Sequence, residues 1–152
     1  MSSFCGAHRA PRASVDPIDS ARSALALVDL ALRRPLADET VALVLDADRR
    51  GRTIVVVDGT SEPDSILDVV ERMAESIAAA GRSGALVVAS ARPGGGPEPG
   101  DEDRWLEASD IADDLGVELV EWFVIGGDVP TVAANATCPR DLLGEAPRWR
   151  SW

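Results

Sequence analysis

The chain of 152 residues contains no lysine, no tyrosine, one histidine and two cysteines. The histidine, His8, lies close to the N-terminus, so the part of the sequence expected to fold offers neither a Ser-His-Asp nor a Cys-His catalytic set. Together with Cys5 and Cys138 it gives three ligands, one fewer than a usual structural zinc site requires. We therefore interpret the two cysteines as free, reduced thiols.

Long apolar segments are also missing from the sequence. No run of apolar residues approaches the length of a membrane span. Residues 1–9 lack the apolar core of a signal peptide. We expect a cytoplasmic protein that does not enter a membrane.

Basic charge is scarce in the middle of the chain. The net charge is -11 overall, and residues 35–138 hold seven arginines against 21 acidic residues, which gives -14 for this part. A domain this acidic repels the phosphate backbone of nucleic acids unless a local basic patch overrides the field. Direct DNA binding is therefore not expected.

Helical and strand-like hydrophobic patterns alternate between residues 18 and 134, which indicates one α/β domain. The first predicted elements are a helix capped by Asp19 or Ser20 and ended by Pro35, strands over 40–46 and 53–57 joined by a hairpin turn, and a helix starting at Asp64 or Ser65. The later ones are a strand over 85–89, a helix over 101–115, a strand over 117–125 and a short strand over 131–133. Residues 1–17 and 135–152 lack such periodicity, and we expect a flexible N-terminal tail and a C-terminal tail.

A long glycine- and proline-rich segment, residues 90–103, joins the strand at 85–89 to the next helix. A loop between a buried strand and a helix N-terminus is where α/β domains usually place their sites. The three consecutive glycines, Gly94–Gly96, are not followed by the Lys-Ser/Thr pair of a phosphate-binding loop. The acidic start of the helix also repels phosphate, so nucleotide binding is not expected here.

The spacing of this loop resembles the JAMM/MPN metalloprotease superfamily and its bacterial RadC branch. There the loop reads His-x-His-Pro-Ser-Gly, then a serine, then an aspartate three residues later. In this chain the two histidines correspond to Ser90 and Arg92, the second serine to Gly100 and the metal-binding aspartate to Asp103. The proline is retained as Pro93. The resemblance therefore keeps the frame of the loop and loses both histidine ligands.

The resemblance extends over roughly residues 18–134. Glu39 opens the first predicted strand as the family's glutamate does, and residues 115–126 resemble Leu-Gly-Ile-x-Leu-Leu-Asp-His-x-Ile-x-Gly, with Glu121 and Trp122 in place of the Asp and the His. RadC-like domains share the order helix, hairpin, helix, strand, loop, helix, strand. The fold implied by the resemblance is a three-layer mixed sheet with flanking helices, the JAB/MPN architecture, which is cytidine-deaminase-like.

The resemblance also implies what chemistry has been lost. In the family, two histidines and the aspartate hold zinc, a glutamate acts as general base on the bound water, and a serine stabilises the oxyanion. Serine is a poor zinc ligand, and the arginine guanidinium has no lone pair to donate. We expect that zinc binding and peptidase activity are lost and that a vestigial site remains, formed by Glu39, Ser90, Arg92, Gly100 and Asp103.

One hypothesis assigns Arg92 the electrostatic role of the missing zinc. Its guanidinium would then form ion pairs with Glu39 and Asp103. The alternatives are that Asp103 only stabilises the N-terminus of a helix, that Glu39 is an exposed residue before a strand, and that Arg92 is a solvated loop residue.

Three functions remain open from the sequence. The first is a catalytically inactive RadC/JAMM-like domain that works as an interaction or scaffold module, through the loop, an exposed sheet edge or the C-terminal tail with Trp149 and Trp152. The second is a hydrolase with a hard ion such as Mg²⁺ or Mn²⁺, held by carboxylates drawn from Glu39, Asp103, Glu98 and Asp101. The third is a DNA-repair role by family association alone. Homodimerisation also remains open.

Overall fold

The structure is a computed structural model that describes residues 10–126 and, for residues 131–132, the backbone of a short strand. Its helices and strands within these ranges are, in chain order, α1 (Ala21–Ala31), β1 (Glu39–Leu45), β2 (Gly51–Asp58), α2 (Ser65–Ala79), β3 (Gly84–Ala91), α3 (Asp101–Asp114), β4 (Val117–Ile125) and β5 (Thr131–Val132). Every predicted helix and strand is confirmed, with boundaries that differ by a few residues.

The strands form one mixed sheet in the order β2-β1-β3-β4-β5. β1 is antiparallel to both β2 and β3, β3 is parallel to β4, and β4 is antiparallel to β5. α3 connects the two parallel strands, so β3 and β4 end at the same edge, with Ala91 opposite Ile125. The glycine-rich loop leaves the sheet at this edge, where open α/β sheets place their binding sites.

The helices cover the two faces of the sheet and make it the middle of three layers. Strand residues alternate between the faces because successive side chains point to opposite sides. On one face, called the α1 face, buried strand residues pack against α1; on the other, the α2/α3 face, they pack against α2 and α3. Residues of the α1 face include Val41, Leu43, Val87 and Ala89. Residues of the α2/α3 face include Ala42, Leu86, Val88 and Trp122.

The start of α1 shows how local sequence fixes an element. The Ser20 side chain accepts a hydrogen bond from the backbone N–H of Ser23 at 3.1 Å, which satisfies one of the free N–H groups of the first turn. The structure thus selects Ser20 over Asp19 as the cap. The helix ends at Ala31, four residues before Pro35.

Ordered contacts begin before the predicted start of the domain at residue 18. The Ser14 N–H donates to the carbonyl oxygen of Gly51 at 3.0 Å, and Pro17 forms an isolated β-bridge with Arg50. Residues 10–17 therefore lie against the β1–β2 hairpin.

The predictions for Cys5, His8, Cys138 and the C-terminal tryptophans lie outside the described residues. Of the helices in the described part, none has both the length and the apolar composition that crossing a bilayer requires.

Candidate functional site

The loop between β3 and α3 rests directly on the end of β4. The backbone N–H of Arg92 donates to the carbonyl oxygen of Ile125 at 2.8 Å. At the next residue of that strand end, a Cβ on Gly126 would lie only 1.6 Å from the carbonyl oxygen of Gly95. Only glycine permits this contact, so the sequence at the end of β4 is matched to the position of the loop.

Arg92 forms a bidentate ion pair with Asp101, the first residue of α3. Its Nη1 lies 2.7 Å from Oδ2 and its Nη2 lies 3.0 Å from Oδ1. The Asp101 side chain is 0% exposed and that of Arg92 is 14% exposed. Parallel N–H···O bonds of this kind are among the strongest hydrogen bonds in proteins, and here they hold both ends of the loop together.

Further donors complete the environment of the Asp101 carboxylate. Oδ2 also accepts from the backbone N–H of Glu98 at 2.7 Å, and Oδ1 accepts from Nη1 of Arg104 at 3.1 Å. Burial alone would raise the pKa of Asp101, but the hydrogen bonds from Arg92 and Glu98 outweigh it and hold that pKa below its ordinary value. Asp101 is therefore a charged carboxylate at neutral pH, and each of its two oxygens accepts two hydrogen bonds.

The indole ring of Trp122, on β4, lies against the guanidinium of Arg92. The guanidinium carbon of Arg92 lies 5.7 Å from the centre of the indole ring, within the range of a cation–π contact. The indole Nε1–H donates to Oγ of Ser90 at 2.9 Å, and both side chains are buried. We call Ser90, Arg92, Asp101, Arg104 and Trp122 the Arg92 cluster.

Gly100, at the position of the family's serine, has a backbone role in this structure. It precedes α3 with φ of 91°, in the left-handed region that disfavours side chains. A Cβ at this position would lie 3.4 Å from Nη1 of Arg104, so the guanidinium covers the glycine. A serine here would be strained.

Glu39 is separated from the Arg92 cluster by the sheet. It is fully buried at the start of β1, and its carboxylate accepts from the backbone N–H of Arg33 at 2.8 Å and from Nε of Arg33 at 3.1 Å. It shares the α1 face with Val41, whereas Ser90 lies on the α2/α3 face with Trp122. The alternative in which Glu39 is an exposed residue before a strand is therefore wrong.

Asp103 lies exposed in the first turn of α3. The hypothesis that Arg92 forms ion pairs with Glu39 and Asp103 is therefore wrong, because its carboxylate partner is Asp101. The sequence pattern indicated Asp101 only as a candidate metal ligand and not as the partner of Arg92, because the resemblance directs attention to Asp103. A signal was present, since Asp101, Trp105, Ala108 and Ala112 recur at helical spacing and all are buried.

The residues at the family's ligand positions do not fit a zinc ion. Ser90 Oγ accepts the indole N–H, Arg92 is a cation, and Asp103 is exposed on the first turn of α3. Within residues 10–126, no three His, Cys, Asp or Glu side chains are grouped to hold a metal. No family model matches the chain, and no curated protein is significantly similar to it. The likeness to the RadC branch therefore rests on the spacing and order of the residues.

Ser90→Ala is expected to lower the free energy of unfolding by about 1–3 kcal/mol, because the buried Trp122 indole N–H loses its acceptor. The matched control is Ser109→Ala, since Ser109 Oγ is buried and has no hydrogen-bond partner in the described part of the chain. That control should leave the stability unchanged or slightly higher. Urea unfolding of both variants measures the difference, and equal effects would show that the Ser90 bond does not matter.

Proposed function

We propose that this chain is a catalytically inactive, RadC-like JAB/MPN domain that works as a protein-interaction or scaffold module. The single observation that carries the proposal is the buried Arg92–Asp101 ion pair. Arg92 stands at the sequence position that the resemblance aligns with a histidine ligand, and Asp101 already supplies its counter-charge. The same proposal includes the cytidine-deaminase-like architecture, supported by a hairpin followed by two strands joined through a helix in a mixed sheet.

The ion pair opposes metal binding for two reasons. A divalent cation near the Arg92 guanidinium would experience like-charge repulsion, which is strong where water is excluded. To use Asp101 as a ligand, the metal would also have to break a buried pair, and uncoupling such a pair costs about 3–5 kcal/mol. The ion pair between Arg92 and Asp101 thus stabilises a loop conformation in which neither side chain is available to a metal.

The carboxylate-based hydrolase gains no support from the geometry. Of its four candidate ligands, Glu39 lies on the opposite face of the sheet and Asp101 is already fully hydrogen-bonded. Glu98 and Asp103 are exposed. A DNA-repair role likewise rests only on the family resemblance, and the acidic charge of residues 35–138 opposes direct DNA contact.

The test is elemental analysis of the purified protein, together with thermal melts in EDTA, Zn²⁺ and Mn²⁺. We expect no stoichiometric metal and no shift of the melting temperature. A metal present at 100 times its dissociation constant would stabilise the fold by about 2.7 kcal/mol, which corresponds to a shift of several degrees.

Asp103→Asn is the control variant, because Asp103 is the family ligand that this chain retains and its exposed side chain can change without disturbing the fold. A stoichiometric metal in the natural sequence that disappears in Asp103→Asn would overturn the proposal. A hydrolase screen with Glu39→Gln as the inactive reference would then follow.

A further inference from the structure

β2 forms an edge of the sheet, since β1 is its neighbour on one side and no strand among the described residues lies on the other. The segment before α1 covers only its beginning, where Ser14 and Pro17 contact Gly51 and Arg50. Within the described part of the chain, residues 53–58 therefore present an open strand edge. Such edges pair readily with another strand unless charged side chains, proline or a bulge block them. The ladder with β1 shifts its register at Arg52, and residues 53–57 contain no charged side chain, no proline and no bulge.

Two apolar side chains of this strand are exposed on the α1 face. Ile54 is 45% exposed and Val56 is 42% exposed. They lie opposite Leu43 and Val41, both of which are buried beneath α1, so α1 covers β1 but leaves β2 uncovered. The edge thus combines unpaired backbone with an apolar strip.

The direction of the free backbone groups follows from the pairing with β1. The Gly59 N–H donates to the carbonyl oxygen of Asp38 at 2.8 Å, so residues 38 and 59 form a hydrogen-bonded pair. Hydrogen-bonded and non-hydrogen-bonded pairs alternate along an antiparallel ladder. The N–H and C=O groups of Ile54, Val56 and Asp58 therefore point away from β1, towards the open edge.

We infer that β2 pairs in antiparallel orientation with the β2 of a second copy of this chain, about a two-fold axis through Val55. In this register Arg52 lies opposite the second copy's Asp58, and Ile54 lies opposite the second copy's Val56. The outward-pointing groups of Ile54 and Val56 then meet as hydrogen-bonded pairs, and the two Ile54–Val56 pairs give the ladder about four N–H···O=C bonds. The partner is a second copy because the edge is complementary to itself.

Charge complementarity selects this register. A shift by two residues in one direction places Arg52 opposite Val56, and a shift in the other direction places Asp58 opposite Ile54. Only the register centred on Val55 puts opposite charges together at both ends and apolar residues together between them. The present partners, Asp46 for Arg52 and Arg33 for Asp58, are surface contacts that can be shared or exchanged at small cost.

This inference rests on the proposed interaction role and gives it a partner, but its test is independent of metal content. Sedimentation velocity of the full chain over a range of concentrations should show a reversible monomer–dimer equilibrium. Arg52→Asp or Asp58→Arg alone creates two like-charge pairs across the two-fold axis and should weaken the dimer about tenfold or more. The double variant restores opposite charges and should return the affinity to near that of the natural sequence.

Disulfide cross-linking of single-cysteine variants tests the register directly, in a chain whose Cys5 and Cys138 are replaced by serine. Val55→Cys faces its own copy in a non-hydrogen-bonded pair with Cα atoms about 4.5 Å apart, within disulfide range. Ile54→Cys and Val56→Cys face themselves only in the shifted registers. We expect rapid disulfide formation for Val55→Cys alone, with circular dichroism melts verifying that all three variants fold.

A chain that stays monomeric at all concentrations overturns the inference, including the case in which one of its own terminal segments protects Ile54 and Val56 from hydrogen exchange. A dimer that cross-links fastest through Ile54→Cys or Val56→Cys, or that ignores both charge reversals, overturns it equally. A metal-free monomer would refute this dimer and leave the proposed loss of metal chemistry standing. A zinc-binding dimer would refute the proposed loss of metal chemistry and leave this dimer standing.

Discussion

Asp101→Ala is expected to lower the free energy of unfolding by about 3–5 kcal/mol, the usual cost of removing one partner from a buried ion pair. The loss leaves the largely buried Arg92 guanidinium without its carboxylate and leaves the Glu98 N–H without its acceptor. Urea unfolding measures the effect.

The matched control for this variant is Asp103→Ala, two residues further along the same helix. Asp103 is exposed, so its removal costs only the interaction of a carboxylate with the helix N-terminus, about 0.3–1 kcal/mol. Equal losses for the two variants would mean that the Arg92–Asp101 pair contributes nothing specific. The loop would then have to be held by its backbone contacts alone.

The same pair makes the stability of the chain depend on acid pH. Burial acts to raise the pKa of Asp101, and the hydrogen bonds from Arg92 and Glu98 lower it further than burial raises it. A lowered folded-state pKa contributes stability that is complete above the unfolded value of about 3.9 and is lost as the pH falls through the folded pKa. The stability gap between the natural sequence and Asp101→Asn should therefore be constant near neutrality and shrink below about pH 4.

The fold was predictable because hydrophobic periodicity decides it locally. α2 and β4 each show one uninterrupted pattern in sequence, and the structure places both within a few residues of the prediction. The hairpin was equally clear from two β-branched runs on either side of a glycine-containing turn. Each of these signals is contained within one element and needs no knowledge of its neighbours.

The site was less predictable because it depends on which elements meet. The bond between Trp122 and Ser90 requires the register of β3 against β4, which no local pattern specifies. The separation of Glu39 from Ser90 follows from strand alternation together with the pairing of β1 and β3. Asp101 differs from these, since its place on the buried stripe of α3 was readable from the sequence.

Gly126→Ala is expected to cost about 3 kcal/mol or more, because the new Cβ would lie 1.6 Å from the Gly95 carbonyl oxygen and 2.3 Å from its carbonyl carbon. Those atoms are backbone, so no rotamer change relieves the clash. The loop would have to lift from β4 and break the bond between the Arg92 N–H and the Ile125 carbonyl oxygen.

Gly96→Ala tests the same loop without the clash, since a Cβ at Gly96 meets no atom within 4 Å. Its effect should stay within about 0.5 kcal/mol. The chemical shift of the Trp122 indole N–H distinguishes a displaced loop from general destabilisation, because that group lies beneath Arg92 and is bonded to Ser90. Gly126→Ala should move this resonance at temperatures where the fold is intact, whereas Gly96→Ala should not. If neither variant moves it, the contact between the loop and β4 does not position the Arg92 cluster, and the ion pair with Asp101 alone must do so.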